Sequence, residues 1–131
     1  MNMARELSKL SHAKRRKVGC LIVKYPSIIA EGINGTPRGF DNKCEYSSVV
    51  DEEYTKPEVL HAESNAITKL ARSPHSSQGA TLYVTCCPCF DCAKLIIQSE
   101  IVRVVYDEEY SKGDGLSLLE RAGIQISQIC L

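Results

Sequence analysis

The sequence predicts an α/β fold, a three-layer α/β/α domain with a five-stranded mixed sheet between helices. Three observations lead there. Apolar patterns of helical period alternate with short runs rich in Val and Ile, in the order α-β-β-α-β-α-β-α-β. Two stretches rich in metal-binding side chains, His61-Ala62-Glu63 and Pro88-Cys89-Phe90-Asp91-Cys92, fall where helices are predicted to begin. Ligands of such sheets gather at strand ends and helix N-termini. Finally, 131 residues suit one domain, 1–131, with a core that needs no disulfide staples.

Composition narrows the function classes. Lys and Arg number 16 and Asp and Glu number 16, so no global basic field favours long nucleic-acid contacts. The opening Met1-Asn-Met-Ala-Arg-Glu has no apolar h-region, and no run approaches membrane-spanning length. Seven cysteines, an odd number, in a chain without an export signal predict a reducing, cytoplasmic setting.

Taken in order, Ala4 to about Arg15 reads as a helix with Leu7, Leu10 and Ala13 as a narrow apolar stripe. The run His12-Ala-Lys-Arg-Arg-Lys17 closes it, either as a solvated helix end favoured by the dipole or as a phosphate-binding cluster. Val18–Val23 and Ile28–Ile33 are strands joined by a Tyr25-Pro26-Ser27 turn, and the short link predicts an antiparallel hairpin. Gly32–Gly39 leaves the sheet as a plain turn or as a ligand loop, with Asn34 and Arg38 as its polar heads. Phe40 to about Glu58, including Asp51-Glu-Glu, reads as a long loop with a little local helix. Cys44 within it is either a buried thiol or a partner of His12 or His75 at a second metal site.

Leu60–Leu70 has an apolar face at Ala62, Ala66, Ile67 and Leu70, which places His61 at a helix start. Ser73–Gly79 is a turn region with His75 exposed, and Ala80–Thr85 is a strand. Pro88 suits the entry to the next helix, so Cys89 and Cys92, three apart, share one face of its first turn. The positive helix terminus favours both thiolates. Ile101–Tyr106 is a further strand, Asp107–Gly115 a loop, Leu116–Arg121 a short helix and Gly123–Ser127 an edge strand.

His61, Cys89 and Cys92 offer one imidazole and two thiols, and three protein ligands leave the fourth position of tetrahedral zinc open for water. Such a metal lowers the pKa of its water to roughly 7. Glu63 is surplus to the ligand set and suits a proton carrier. The bland reading of each half alone is a capping histidine, a redox CxxC or a structural zinc. Cys86 and Cys87 lie beside the site but lack the spacing of ligands.

These motifs are the H-x-E…P-C-x-x-C signature of zinc nucleobase deaminases. From about Lys14 to Gly123 the chain resembles the cytidine deaminase-like superfamily, and most closely its deoxycytidylate (dCMP) deaminases of phage type. The resemblance rests on Lys17-Val18-Gly19, Gly32-Ile33-Asn34-Gly35-Thr36-Pro37, His61-Ala62-Glu63-Ser64-Asn65-Ala66-Ile67, Gly79–Thr85, Pro88-Cys89 to Cys92-Ala93-Lys94, Val105-Tyr106 and Ala122-Gly123. It implies hydrolysis of dCMP to dUMP and ammonia, which supplies dUMP for thymidylate synthesis. It also implies Zn2+ on His61, Cys89 and Cys92, with Glu63 catalytic. Asn34 matches the position that contacts the sugar, and Arg15, Arg16 and Lys17 become candidates for the 5′-phosphate. Regulation by dCTP (activation) and dTTP (inhibition), with Mg2+ on the triphosphate, would fall on Gly32, Asn34, Gly35 and Arg38. Homo-oligomers are usual in the family, with a hexamer favoured here over a dimer. Three features depart from the usual pattern: Ile33 stands for an aromatic, Cys86-Cys87 precede Pro88, and residues 44–60 are short for a second zinc site. The competing functions are a tRNA adenosine or other base deaminase and a non-catalytic structural zinc module.

Overall fold

The computed structural model describes residues 1–47, 53–109 and 114–129. The Asp51-Glu52 part of the acidic run and residues 110–113 of the predicted loop lie outside these. The elements run α1 (Asn2–Ser8), β1 (Gly19–Lys24), β2 (Ser27–Ile33), β3 (Glu45–Ser47), β4 (Glu53–Thr55), α2 (Ala62–Leu70), β5 (Thr81–Cys86), α3 (Phe90–Gln98), β6 (Arg103–Glu108), α4 (Asp114–Arg121) and β7 (Gln125–Gln128). The main sheet has the order β2-β1-β5-β6-β7. β1 is antiparallel to β2 and β5, whereas β6 runs parallel to β5 and to β7, so the sheet is mixed as predicted.

Two glycines show that helices cover both faces. A Cβ on Gly19 would stand 2.2 Å from the Ala4 carbonyl oxygen of α1, and one on Gly32 would stand 2.3 Å from the Ala62 carbonyl oxygen of α2. Gly32 pairs with Cys20, the neighbour of Gly19, so the two glycines face opposite sides. On the α2 side, Cys20, Ile22, Leu82, Val84, Val104 and Tyr106 form cross-strand pairs beneath Ala62, Ala66, Ala93, Ile96 and Leu119. Ile22, Leu82 and Ile96 are fully buried, each worth about 1.5–3 kcal/mol of transfer from water.

Two predictions required correction. The first helix ends at Ser8, not near Arg15, and Leu10 is 65% exposed. The helix-forming residues after it are overruled by tertiary bonds, because the Ser11 hydroxyl donates to the Asn34 carbonyl at 2.8 Å. The basic run is therefore not a helix end. Within 40–58, the described residues hold no helix, and Glu45–Ser47 and Glu53–Thr55 pair antiparallel as β3–β4, registered Tyr46 to Tyr54. Strands of three residues fall below the length at which alternation is readable. Smaller shifts occur at β6, which starts two residues later than predicted, and at α4, which starts two earlier.

Candidate active site

α2 and α3 point their N-termini at one spot. His61 is the N-cap of α2 and Cys89 the N-cap of α3, both with extended backbone (φ −74° in each). Each N-cap side chain therefore projects beyond its helix end, and residues in the first turn reach the same place. The start of α2 is pinned to the end of β2. Leu60 N–H donates to the Gly35 carbonyl at 2.7 Å, Gly35 N–H to the Leu60 carbonyl at 3.1 Å, and the Asn65 amide to the Ile33 carbonyl at 2.9 Å. The turn before α3 is held by Cys87 N–H on the Glu108 carbonyl at 2.8 Å.

The result is a donor set. His61 Nδ1 lies 3.3 Å from Cys92 Sγ and 3.4 Å from Cys89 Sγ. The three ligand atoms all lie within 4.8 Å of one another, and among the described residues this is the group of His, Cys, Asp or Glu able to hold a metal ion. Tetrahedral zinc with bonds of about 2.0–2.3 Å sets its donors roughly 3.5–3.8 Å apart, so one imidazole and two thiols at these distances fit it. Cys44 joins no such group with His12 or His75, both of which are exposed. Cys86 and Cys87 stand outside it too.

Titration behaviour follows from the crowding. Cys89 is lowered to about 4 by hydrogen bonds from Cys92 and His61, while Cys92 is raised because it donates to Cys89 and is buried. His61 is raised, chiefly by its hydrogen bond with Cys89. Glu63 is only 4% exposed, and burial pushes its carboxyl up to about 7. A cation here would balance two thiolates and release their protons.

A cavity of about 390 Å³ takes in the group, with Glu63, His61 and Cys89 and also Arg15, Arg16 and Asn34 among its lining residues. Val59, Cys86 and Cys87 also line it. Arg15 Nη1 donates to Thr55 Oγ1 at 3.2 Å, and Arg16 pairs with Glu108 at 3.2 Å while touching Cys86 Sγ at 3.7 Å. Lys17 lines instead a smaller adjoining cleft of about 160 Å³ with Arg5, Asp107 and Glu108.

The residues of the Gly32–Gly39 stretch fall in different surroundings. Gly32 is an interior residue of β2 whose missing side chain admits Ala62 and Ala66, so its close approach serves helix packing. Gly35 has open space around it and Arg38 is exposed; neither lines the cavity. Asn34 reaches it with its amide already engaged, accepting from Val18 N–H at 2.8 Å and donating to the Arg16 carbonyl at 2.7 Å.

Two contributors had no role from the sequence: Thr55, which arrives on the unforeseen β3–β4 pair, and Asn65, which stands in the quoted motif without an assigned contact. A third is Gly115, where a Cβ would stand 2.1 Å from the Pro88 carbonyl oxygen. Gly115 lets α4 lie against the turn that presents Cys89.

An imidazole and two thiols from two helix starts, with a buried carboxyl beside them, define a zinc-site architecture with room for a water and a small ring. The chain belongs to the cytidine and deoxycytidylate deaminase family, whose zinc-binding region matches residues 1–108. It is 38% identical over 136 residues to the deoxycytidylate deaminase of Schizosaccharomyces pombe, covering 98% of this chain and 42% of that protein. The deoxycytidylate deaminase of Enterobacteria phage T4 is 33% identical, with 86% of this chain and 79% of that protein covered. The crystal structure of dCMP deaminase from cyanophage S-TIM5 in complex with dCMP and dUMP superposes with a TM-score of 0.92 and 42% identity, covering 98% of this chain and 92% of that one. The chain spans about two fifths of the two yeast relatives it matches, 42% and 43% of their lengths.

Proposed function

We propose that this chain is a single-domain, zinc-dependent dCMP deaminase that converts dCMP and water to dUMP and ammonia. The observation that carries the reading is the buried Glu63 beside the His61, Cys89, Cys92 donor set, in a cavity that Arg15 and Arg16 also line. Zinc on those three residues supplies Lewis-acid activation, bringing water to a pKa of roughly 7. Glu63, buried beside those ligands and surplus to the set, is positioned to carry protons. It takes one proton from the attacking water and places it on N3 of the ring as oxygen bonds to C4. It then carries the second water proton to the exocyclic amine. The C4–N bond breaks, ammonia leaves, and the C4 oxygen becomes the carbonyl of dUMP.

Substrate selection falls to the wall of the cavity. Arg15 and Arg16 receive the 5′-phosphate, with Arg16 exchanging its exposed Glu108 partner for it; Lys17 adds long-range attraction from the neighbouring cleft. Asn34 stands beside the sugar. By likeness to the family the chain is a cytoplasmic homo-oligomer, with a hexamer favoured. It responds to dCTP and dTTP, carried with Mg2+, on the outer part of the 32–39 loop through Gly35 and Arg38. Among the described residues no helix is long and apolar enough to cross a membrane.

The test is to incubate the zinc-loaded protein with dCMP, deoxycytidine, dCTP and a tRNA anticodon arm and to follow ammonia. Turnover of dCMP well above the others supports the reading. Preference for the tRNA arm replaces it with RNA editing, and no turnover of any substrate leaves a structural zinc module.

A further inference from the structure

Among the described residues three polar side chains are buried: Ser11, Glu63 and Thr85. Glu63 belongs to the chemistry, and Thr85 ties β5 to β1 by accepting from Gly19 N–H at 3.1 Å. Ser11 is left, at 3% exposure. A buried hydroxyl is unfavourable unless its bonds are made, and Ser11 makes both of its kinds. It donates to the Asn34 carbonyl at 2.8 Å and accepts from Ala13 N–H at 3.2 Å.

Asn34 holds the other end of the same segment. Its amide oxygen accepts from Val18 N–H, its amide nitrogen donates to the Arg16 carbonyl, and its own N–H donates to the Val18 carbonyl at 3.3 Å. The chain from Ser11 to Val18 is thus an arch fastened at both feet to one residue, with Arg15 and Arg16 on its span beside the cavity. The β3–β4 hairpin steadies its outer side, where the Glu45 carboxylate accepts from Lys14 N–H at 2.6 Å.

We propose that Ser11 is a positioning residue for nucleotide recognition: its hydroxyl, acting through Asn34, sets the arch so that the Arg15 and Arg16 guanidinium groups meet a 5′-phosphate. Ser11 itself touches no substrate. The inference rests on the dCMP reading above and adds a determinant of nucleotide over nucleoside selection. Arginine recognises phosphate through a planar fork, so displacing the arch weakens phosphate contacts before it reaches the ring or the metal ligands.

The experiment measures steady-state kinetics on dCMP and on deoxycytidine for the zinc-loaded wild type, Ser11→Ala and Ser11→Cys. The same measurements are made on the Arg15→Ala/Arg16→Ala protein with and without Ser11→Ala. Loss of the hydroxyl's bonds raises KM for dCMP about three- to tenfold with kcat held, and costs the deoxycytidine reaction clearly less, because only the sugar contact of Asn34 is shared. Ser11→Cys, of similar size and with a weaker donor, gives an intermediate KM and keeps the test available if the alanine variant folds poorly. In the protein lacking both arginines, Ser11→Ala has no further effect, because non-additivity marks groups that act as a unit. Equal losses on both substrates, an effect that persists without the arginines, or no effect at all would each overturn the proposal. A wild type that does not turn over dCMP refutes the functional reading itself, and the role of Ser11 falls with it.

Discussion

Replacing Gly115 by alanine tests whether α4 sets the position of a metal ligand. The added Cβ would stand 2.1 Å from the Pro88 carbonyl oxygen and 2.8 Å from both the carbonyl carbon and oxygen of Cys89. Carbon and oxygen in ordinary contact keep about 3.3 Å, so helix and turn must part by roughly 1 Å. All the close atoms are backbone, and none can swing aside. Overpacking of this kind costs about 1–3 kcal/mol. Alanine's helix propensity returns at most ~1 kcal/mol, and less at the second residue of a helix. The sign is therefore set by the contact, with a net destabilisation of about 1–2 kcal/mol. For a chain of this size the melting temperature should fall by roughly 3–10 °C. Because the displaced turn presents Cys89, zinc affinity should fall about ten- to a hundredfold, as for other losses of groups that orient metal ligands. Calorimetry and chelator competition on the zinc-loaded protein read both numbers. A melting temperature equal to or above wild type, with unchanged zinc affinity, would refute the argument that Gly115 exists to admit the Cys89 turn.

Glu63→Gln should keep stoichiometric zinc and the fold yet lower kcat about a hundred- to ten-thousand-fold, the usual weight of general acid–base catalysis; near-normal turnover would remove Glu63 from the chemistry. Cys89→Ala should lose zinc on dialysis, and metal analysis showing full retention would hand its role to Cys86 or Cys87. A third expectation concerns acid stability. Asp107 is held below the ordinary aspartate range by the Arg5 guanidinium, whose Nε lies 2.6 Å from its carboxylate. Because its folded pKa is depressed, its contribution is complete above the unfolded value of about 4 and fades as pH falls through the lower folded value. Asp107→Asn should therefore lose about 1 kcal/mol at pH 7 and show a shallower decline of melting temperature in acid. Parallel acid limbs for variant and wild type would contradict this.

The parts of the site that depend on local spacing were legible in the sequence. His61 precedes an amphipathic run, and Cys89 and Cys92 follow Pro88 at one helical turn, so both helix starts could be placed from residues within ten positions of each motif. The sheet was legible because its central strands are nearly continuous apolar runs. What remained hidden depends on distant partners. Helical propensity carries through Lys14–Lys17, but the buried Ser11–Asn34 bond bridges 23 positions and ends the helix early. The β3–β4 hairpin has strands of three residues with Tyr46 and Tyr54 exposed, so no hydrophobic alternation marks it. Gly115 resembled a loop glycine. Its meaning lies in the backbone of Pro88 and Cys89, which only the packed chain brings beside it. Gly32 likewise has a packing role, against Ala62 and Ala66 of α2, that only the folded chain shows.

Whether the zinc site is open, with three protein ligands, is read by zinc X-ray absorption on the loaded protein. An open site shows two sulfur neighbours at about 2.3 Å, one imidazole nitrogen at about 2.0–2.1 Å and one further light atom, changing when dCMP is added. Three or four sulfur neighbours, unaltered by nucleotide, would mean that Cys86 or Cys87 closes the coordination sphere, and the site would then be structural.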